Sequence, residues 1–218
     1  MSVYTLTLLR HGESLGNAED YNQGQYDFPM TERGRAQIRK LIARWRADGT
    51  RFDQVIASPL IRARETAEMI AEALDVPVQF DPDWKGRDKG VLTGVKREVA
   101  DQRYPKPDFF NPYENFGGTG EGNFELFLRA GRAIQRILQM SPGRYLIISH
   151  SSTLNQALNV MMGITPQANG QGIQFRFGNT AISTLQYEPE SHRWVVLGIN
   201  DFTHLAVKNF DVNEGQES

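Results

Sequence analysis

The chain of 218 residues contains no cysteine and only four histidines. Without cysteine it cannot form a disulfide framework, a thiol nucleophile or a thiolate metal site. Its formal net charge of -2 disfavours non-specific nucleic-acid binding, which requires a basic surface. No apolar run approaches the roughly 18 residues that a membrane span needs, and the N-terminus lacks the pattern of a signal peptide. We therefore expect a cytoplasmic protein without a nucleic-acid or membrane partner.

Linkers are also missing, because no Pro/Gly/Ser-rich stretch or block of charge divides the chain. We therefore expect a single α/β domain over residues 1–207, followed by a flexible C-terminal tail over residues 208–218. The least regular stretch is 81–122, in which Pro105, Pro107 and Pro112 prevent a long helix. This stretch is predicted to be a loop-rich insert.

Apolar patterns predict alternating strands and helices along the rest of the chain. The predicted strands are 3–9, 52–57, 76–80, 144–149 and a final hairpin-like pair, 180–187 with 193–199. The predicted helices are 31–47, 59–74, 95–104, 123–140 and 154–162, with Thr31 and Ser58 as N-caps. This order fits a mostly parallel central sheet with helices on both faces, a three-layer α/β sandwich.

Two of the histidines directly follow predicted buried strands. Arg10 and His11 come after the first strand, and His150 ends the strand 144–149. Ligands of open α/β sheets bind at the carboxyl ends of the strands. A histidine there can attack phosphorus or transfer a proton, and an arginine fork fits phosphate oxygens. On its own, the first pair would more simply be a solvated strand end.

Four motifs in order carry a family resemblance. The run Arg10-His11-Gly12-Glu13-Ser14, followed by Asn17, resembles the signature of the histidine phosphatase superfamily, which includes the cofactor-dependent phosphoglycerate mutases. The later matches are Gln23-Gly24, Ser58-Pro59-Leu60-Ile61-Arg62-Ala63 and Ser149-His150-Ser151-Ser152. The resemblance implies the same α/β architecture, with one antiparallel strand in the sheet.

The resemblance also implies roles for these residues. His11 is expected to attack phosphorus as a neutral imidazole, with its other ring nitrogen donating to a carbonyl or carboxylate. Arg10 and Arg62 are expected to clamp the phosphate oxygens, helped by a protonated His150. Asn17 and the Ser151 N–H are expected to donate hydrogen bonds to substrate, and Gln23 and Gly24 to belong to the binding loop. This set requires neither a metal nor a cofactor, and no metal-ligand spacing occurs in the sequence.

The sequence departs from the family at the general acid. The stretch 84–94 resembles a family segment that carries a glutamate at the position of Gly86. A glycine cannot protonate a leaving group, so another residue is needed. Asp88 lies two residues on, and in an extended segment it would point to the same side as position 86. Asp88 is therefore the predicted acid, with Asp83 and Glu121 as weaker candidates.

Three functions remain open on the sequence alone. The first is a metal-independent phosphomonoesterase that moves phosphate from a small phosphorylated substrate to His11 and then to water, releasing inorganic phosphate. The second is a mutase of the phosphoglycerate type, and the third is a phosphate-binding domain that lost its acid. The insert 81–122 is expected to lie over the active site, where its aromatics Phe109, Phe110, Tyr113 and Phe116 either line a substrate pocket or pin the insert. The oligomeric state is not predicted.

Overall fold

A computed structural model describes residues 3–105 and 107–206. The predicted tail, 208–218, lies outside the described residues. The described strands are β1 Tyr4–Arg10, β2 Tyr21–Asn22, β3 Gln54–Ala57, β4 Val78–Phe80, β5 Val95–Lys96, β6 Arg144–Ser149, β7 Ile182–Glu188 and β8 Arg193–Asp201. The helices are α1 Leu15–Ala18, α2 Glu32–Ala47, α3 Ile61–Leu74, α4 Arg97–Arg103, α5 Asn123–Leu138 and α6 Ser151–Met161. None of these helices is long and apolar enough to cross a lipid bilayer.

Six strands form the central sheet in the order β4-β3-β6-β1-β7-β8. Strands β4, β3, β6 and β1 pair in parallel, and β7 pairs antiparallel with both β1 and β8. Only β7 of these six therefore runs against the others. The predicted fold class, a mostly parallel sheet with one antiparallel strand, is confirmed.

Side chains along the strands point alternately to the two faces of the sheet, and a hydrophobic core lies on each face. Leu6 and Leu8 of β1 pack with apolar residues of α5 and α6, whereas Leu9 packs with those of α2 and α3. Successive strand side chains point to opposite faces, so a continuously apolar strand fills both cores. The helices thus form the two outer layers of a three-layer sandwich.

Helix α4 begins at Arg97 rather than at residue 95, because Val95–Lys96 forms strand β5. Two further predicted helix starts, both near the site, also differ from the structure. Helix α3 begins at Ile61 rather than at residue 59, after an extended Leu60 that makes no side-chain cap bond. Helix α6 begins at Ser151, three residues earlier than predicted, with His150 as its extended N-cap. Thr31 does cap α2 as predicted, since its hydroxyl accepts from the Gly34 N–H at 3.0 Å. The observed starts of α3 and α6 place Arg62 in the first turn of α3 and His150 directly before α6.

The segment that follows β1 is pressed against helix α2. A Cβ placed on Gly34 would lie 2.2 Å from the Glu13 carbonyl oxygen and 2.8 Å from the Glu13 nitrogen. These are backbone atoms, which cannot rotate away as a side chain can. Only glycine therefore permits this approach, which holds the residues after His11 in place.

We predict that Gly34→Ala destabilises the protein by about 1–3 kcal/mol, because the overpacking outweighs the gain in helix propensity. Gly131→Ala is the matched control, since Gly131 also lies in a helix but its Cβ would meet Val160 at an ordinary 3.8 Å. That control should stabilise by roughly 0.5–1 kcal/mol. Urea unfolding measures both free energies, and equal effects of the two variants would contradict the close approach at Gly34.

Candidate active site

His11 lies just beyond the carboxyl end of β1 and is buried. Its Nδ1–H donates to the Gly12 carbonyl oxygen at 2.6 Å. Burial, followed by the nearby charges of Arg62 and Arg10, lowers the pKa of His11 well below its usual value. The ring is therefore neutral, and Nε2 keeps its lone pair. This is the form that a nucleophilic histidine requires.

Arg62 in the first turn of α3 is buried and connects three parts of the site. Its Nε donates to His150 Nδ1 at 3.2 Å, Nη1 to the Tyr26 carbonyl at 2.8 Å and Nη2 to the Gly24 carbonyl at 2.9 Å. A guanidinium has five N–H donors, so two remain for a ligand. Burial lowers the pKa of Arg62 to about 10, and the group stays charged at neutral pH.

His150 is the N-cap of α6, and its ring faces that of His11 at a centroid distance of 5.1 Å. Its Nδ1 accepts from Arg62, so its proton is on Nε2, which donates to Ser58 Oγ at 2.8 Å. Burial, followed by the charge of Arg62, lowers the pKa of His150 well below its usual value. In this structure the ring is neutral, and the imidazolium expected beside a phosphate would require the Arg62 contact to break.

Arg10 ends β1 with part of its guanidinium unused. Its Nη1 donates to the Phe177 carbonyl at 2.6 Å, while its buried Nε has no hydrogen-bond partner. Burial, followed by the charge of Arg97, lowers the pKa of Arg10 to about 10. A buried donor without a partner is costly, and an anion at this position would satisfy it.

Asn17 and Ser151 also present donors. Asn17 Oδ1 accepts from the Ser14 N–H and from Asn179 Nδ2, so the amide Nδ2 of Asn17 is turned away from these contacts. Ser151 is the first residue of α6, where the N–H groups have no partner inside the helix. Both can therefore donate to an anion placed at the strand ends.

The binding-loop residues act through their neighbours. Gln23 Oε1 accepts from the Ser14 hydroxyl at 2.7 Å, which links the loop to the start of α1. The Gly24 carbonyl accepts from Arg62, and the backbone at Gly24 has a φ of +53°. That left-handed conformation favours glycine. These two residues thus orient the groups around the site.

Position 86 does lie at the site, although it carries no side chain. A Cβ on Gly86 would be 3.0 Å from the Gly24 carbonyl oxygen, 3.3 Å from His150 Cγ and 3.5 Å from Arg62 Nη2. A longer side chain at position 86 would therefore reach the Arg62 guanidinium and the His150 ring. Because position 86 adjoins Arg62 and His150, the missing carboxylate changes the site itself.

The structure gives Asp88 a different place from the one predicted. Its side chain is exposed, and its carboxylate accepts from the Gly90 N–H at 2.8 Å in a tight turn. The chain forms 3-10 turns at Pro82–Trp84 and Gly90–Leu92, so the argument from an extended segment does not hold. Asp88 is not among the residues that line the neighbouring cleft.

The weaker acid candidates are held by arginines. Glu121 is buried and forms a two-pronged ion pair with Arg129, both contacts at 2.6 Å. Asp83 pairs with Arg136 at 2.8 Å. Arg129 also donates to the carbonyls of Asp83, Lys85 and Gly86. The Glu121–Arg129 pair therefore fixes the loop that carries position 86.

A large cleft of about 1960 Å³ opens beside these residues. Arg10, His11, Arg62 and His150 do not line it themselves, but three lining residues adjoin them. The Phe177 carbonyl accepts from Arg10, Asn179 donates to the His11 carbonyl, and Ser151 follows His150. Its walls include Arg87, Lys89, Arg97, Phe110 and Phe116. Phe109 and Tyr113 are exposed and do not line it. Two of the four insert aromatics thus face the cleft.

Sequence reasoning missed two residues of the site. Ser58 follows β3 as His11 follows β1, and this shared position after a buried strand was a usable signal. It was instead assigned to capping a helix, whereas it contacts His150. Asn179 donates to the His11 carbonyl at 3.0 Å and to Asn17. No sequence signal distinguished it from any other polar residue in a turn.

The sequence matches the model of a known family. The family model for the histidine phosphatase superfamily (branch 1) matches residues 6–201. The chain belongs to this superfamily. The predicted resemblance is thereby confirmed, and the motifs that carried it lie together at one edge of the sheet.

Curated relatives support the same assignment, and solved structures share the fold. A protein of Enterobacter sp. (strain 638) named probable phosphoglycerate mutase GpmB is 32% identical, covering 94% of this chain and 96% of that protein. A phosphoserine phosphatase mutant from Entamoeba histolytica, solved with phosphoserine, shares the fold with a TM-score of 0.75 at 22% identity, covering 93% and 100% of the two chains. A mycobacterial glucosyl-3-phosphoglycerate phosphatase aligns with a TM-score of 0.74 at 19% identity, covering 91% and 99%.

We predict that His11 and His150 are neutral at pH 6.5 and carry their protons on opposite ring nitrogens. The contacts place the proton of His11 on Nδ1 and that of His150 on Nε2. Ring ¹⁵N chemical shifts distinguish these tautomers, and spectra of His11→Gln and His150→Gln assign the signals. A charged ring at pH 6.5, or the same tautomer for both, would contradict this description.

Proposed function

We propose that this protein is a phosphomonoester hydrolase that acts, without a metal, through a phosphohistidine on His11. The observation that carries the proposal is the neutral ring of His11, whose Nδ1–H is fixed on the Gly12 carbonyl and whose Nε2 is free to react. Arg10 and Arg62, beside it, retain unused donors. A nucleophile flanked by fixed cations is the arrangement that phosphoryl transfer needs.

The reaction would proceed in two displacements. In the first, His11 Nε2 forms a bond to phosphorus while the bond to the ester oxygen breaks. In the second, a water oxygen attacks phosphorus, the N–P bond breaks and inorganic phosphate leaves. Arg10, Arg62, the Asn17 amide and the N–H groups at the start of α6 would hold the equatorial oxygens in both steps.

The cleft supports a small phosphorylated substrate. It offers both basic groups, such as Arg87 and Lys89, and aromatic rings, such as Phe110 and Phe116. A structural neighbour, the phosphoserine phosphatase of Entamoeba histolytica, has been solved with phosphoserine and with 3-phosphoglyceric acid. Small phosphorylated metabolites are therefore the first compounds to test.

A mutase is the second candidate, and the named relatives favour it. Proteins of Enterobacter and Salmonella that are 31–32% identical over 94% of this chain are named probable phosphoglycerate mutase. A mutase would use the same phosphohistidine but return the phosphoryl group to a second hydroxyl. The two functions thus differ in the acceptor and not in the nucleophile.

We predict that the wild type releases phosphate from a panel of monoesters in the presence of EDTA, and that His11→Ala lowers the rate on the order of 10⁴-fold or more. His192→Ala is the matched control, because His192 lies in the β7–β8 turn and contacts only Tyr187 among the recorded hydrogen bonds. Brief exposure to ³²P-labelled substrate should label the wild type with an acid-labile phosphoramidate, and His11→Ala should remain unlabelled.

Two results would overturn the proposal. If His11→Ala keeps wild-type activity, His11 is not the nucleophile. If the phosphoenzyme forms but its label moves to a phosphoglycerate acceptor and not to water, the protein is a mutase. Both results are read from the fate of the same ³²P label.

A further inference from the structure

The proposed reaction needs a proton for the leaving oxygen, and no carboxylate is available in the described site. Gly86 has no side chain, Asp88 caps a turn, and Glu121 is paired with Arg129. Glu13 accepts from Thr31 and pairs with Arg33. His150 donates its single ring proton to Ser58. Asp27 accepts from the Ile61 N–H at 2.8 Å, and Asp101, Asp108 and Glu114 line the cleft but are exposed. The donor is therefore sought among the less exposed groups that line the cleft.

Lys89 lies on the same loop as Gly86, and its side chain packs against the binding loop at Gly24. Its Cβ lies against Gly24, where a Cβ on that glycine would be 3.3 Å away. The Gly24 carbonyl is held by Arg62 and lies 3.0 Å from the Cβ position of Gly86. The base of the Lys89 side chain therefore packs near the backbone of Gly24, which a side chain at position 86 would also contact. Lys89 also lines the cleft.

The environment of Lys89 is poor in negative charge. Its Nζ donates to the Asn22 amide oxygen at 2.7 Å and lies 5.9 Å from the centroid of the Phe116 ring. Arg97 and Arg87 face it, and the one acidic group acting on it, Asp20, is paired with Arg97 at 2.6 Å. Arg97 also acts on Arg10, so Lys89 and the phosphate clamp belong to one cationic region.

These surroundings ease the loss of a proton. Burial, followed by the charges of Arg97 and Arg87, lowers the pKa of Lys89 to about 8. The ammonium form therefore predominates at neutral pH, yet it gives up its proton more readily than an ordinary lysine. A pKa near the operating pH is what an efficient general acid requires.

We propose that Lys89 is the general acid that protonates the leaving oxygen, in place of the carboxylic acid missing at position 86. The inference rests on the proposed function, since it assigns the proton donor of that reaction. As His11 Nε2 bonds to phosphorus and the P–O bond breaks, a proton moves from Lys89 Nζ to the departing oxygen. Neutral Lys89 then takes a proton from the water that attacks the phosphohistidine, which restores the ammonium.

The test compares two leaving groups in the full-length protein. Lys89→Met should lower kcat for an alkyl phosphate by about 10²–10⁴-fold, because an alkoxide is a poor leaving group without a proton. It should change the rate of the initial burst of nitrophenolate from p-nitrophenyl phosphate less than about threefold, because nitrophenolate leaves unaided and before water attacks the phosphohistidine. Asp88→Asn is the control from the same loop and should leave both rates unchanged.

Lys89→Arg separates the proton from the charge. Arginine keeps the positive charge but does not lose its proton near neutral pH, so this variant should lose the alkyl-phosphate rate as Lys89→Met does. In the wild type, the alkyl-phosphate rate should fall as pH rises through about 8, because the donor must be protonated. That alkaline limb should be missing in both variants.

A second substitution tests whether a carboxylic acid at position 86 can replace Lys89. In the Lys89→Met background, Gly86→Glu places a carboxyl beside His150 and Arg62, the neighbours of its Cβ. The double variant should recover alkyl-phosphate turnover by at least tenfold. Recovery would also show that the single variant is folded.

Several results would overturn the assignment. If Lys89 only binds an anionic part of the substrate, Lys89→Met will raise KM for both esters and Lys89→Arg will restore it. Unchanged alkyl-phosphate turnover in Lys89→Met would exclude the role outright. Neither result affects the proposed hydrolase, which fails only if activity does not depend on His11 or if the phosphoryl group moves to a phosphoglycerate acceptor and not to water. The two proposals are therefore distinguishable in one set of assays.

Discussion

The site depends on the buried guanidinium of Arg62. Three of its donors are spent on the protein, on the carbonyls of Gly24 and Tyr26 and on the ring of His150. The binding loop, α3 and the N-terminus of α6 therefore meet on one side chain. Asp27 acts on this charge from nearby, and a buried charge also requires that its donors be satisfied. Carbonyl oxygens satisfy the donors without cancelling the charge, so the site retains a net attraction for an anion. Lysine could not replace this residue, because only the planar fork reaches three acceptors in different directions while keeping donors for a ligand.

The same cationic field sets the state of the two histidines. Arg62 and Arg10 act on both rings, and burial withdraws water from them. An imidazolium is disfavoured under both conditions, so His11 is held in its nucleophilic form by the groups that would bind the phosphate. A bound phosphate dianion would offset much of this positive field. Protonation of His150 would be favoured only while the phosphate is bound. The charge of the site is thus adjusted by the substrate itself, and the nucleophile is ready before the substrate arrives.

Much of this arrangement could be predicted from the sequence, and the failures have definite physical causes. Apolar runs ending at Arg10 and Ser149 located the buried strands, and the residues after them located the site, because parallel strands bring their carboxyl ends to one edge. The start of α6 was misplaced since Ser151 and Ser152 resemble loop residues, although the strand leads into the helix without a loop. Asp88 was misjudged because alternation applies only to an extended chain, and tight turns flank it. Asn179 joins the site from more than 160 residues away along the chain, a contact that no local pattern encodes.

The missing carboxylate at position 86 changes the chemistry that the cationic field favours. A carboxyl placed between Arg62 and His150 would feel positive charge, which lowers its pKa until a bound phosphate offsets that charge. An ammonium in a field of cations also holds its proton less tightly, but its ordinary pKa lies far above 7, so the shift brings its pKa toward neutral pH. Lys89 stands in such a field, formed by Arg87 and Arg97, with its stem against Gly24. The absence of a negative charge at position 86 leaves that field uncompensated, and this is the condition under which a lysine becomes a useful acid. The missing carboxylate at position 86 and the proposed acid at Lys89 are therefore both consistent with the positive field of this loop.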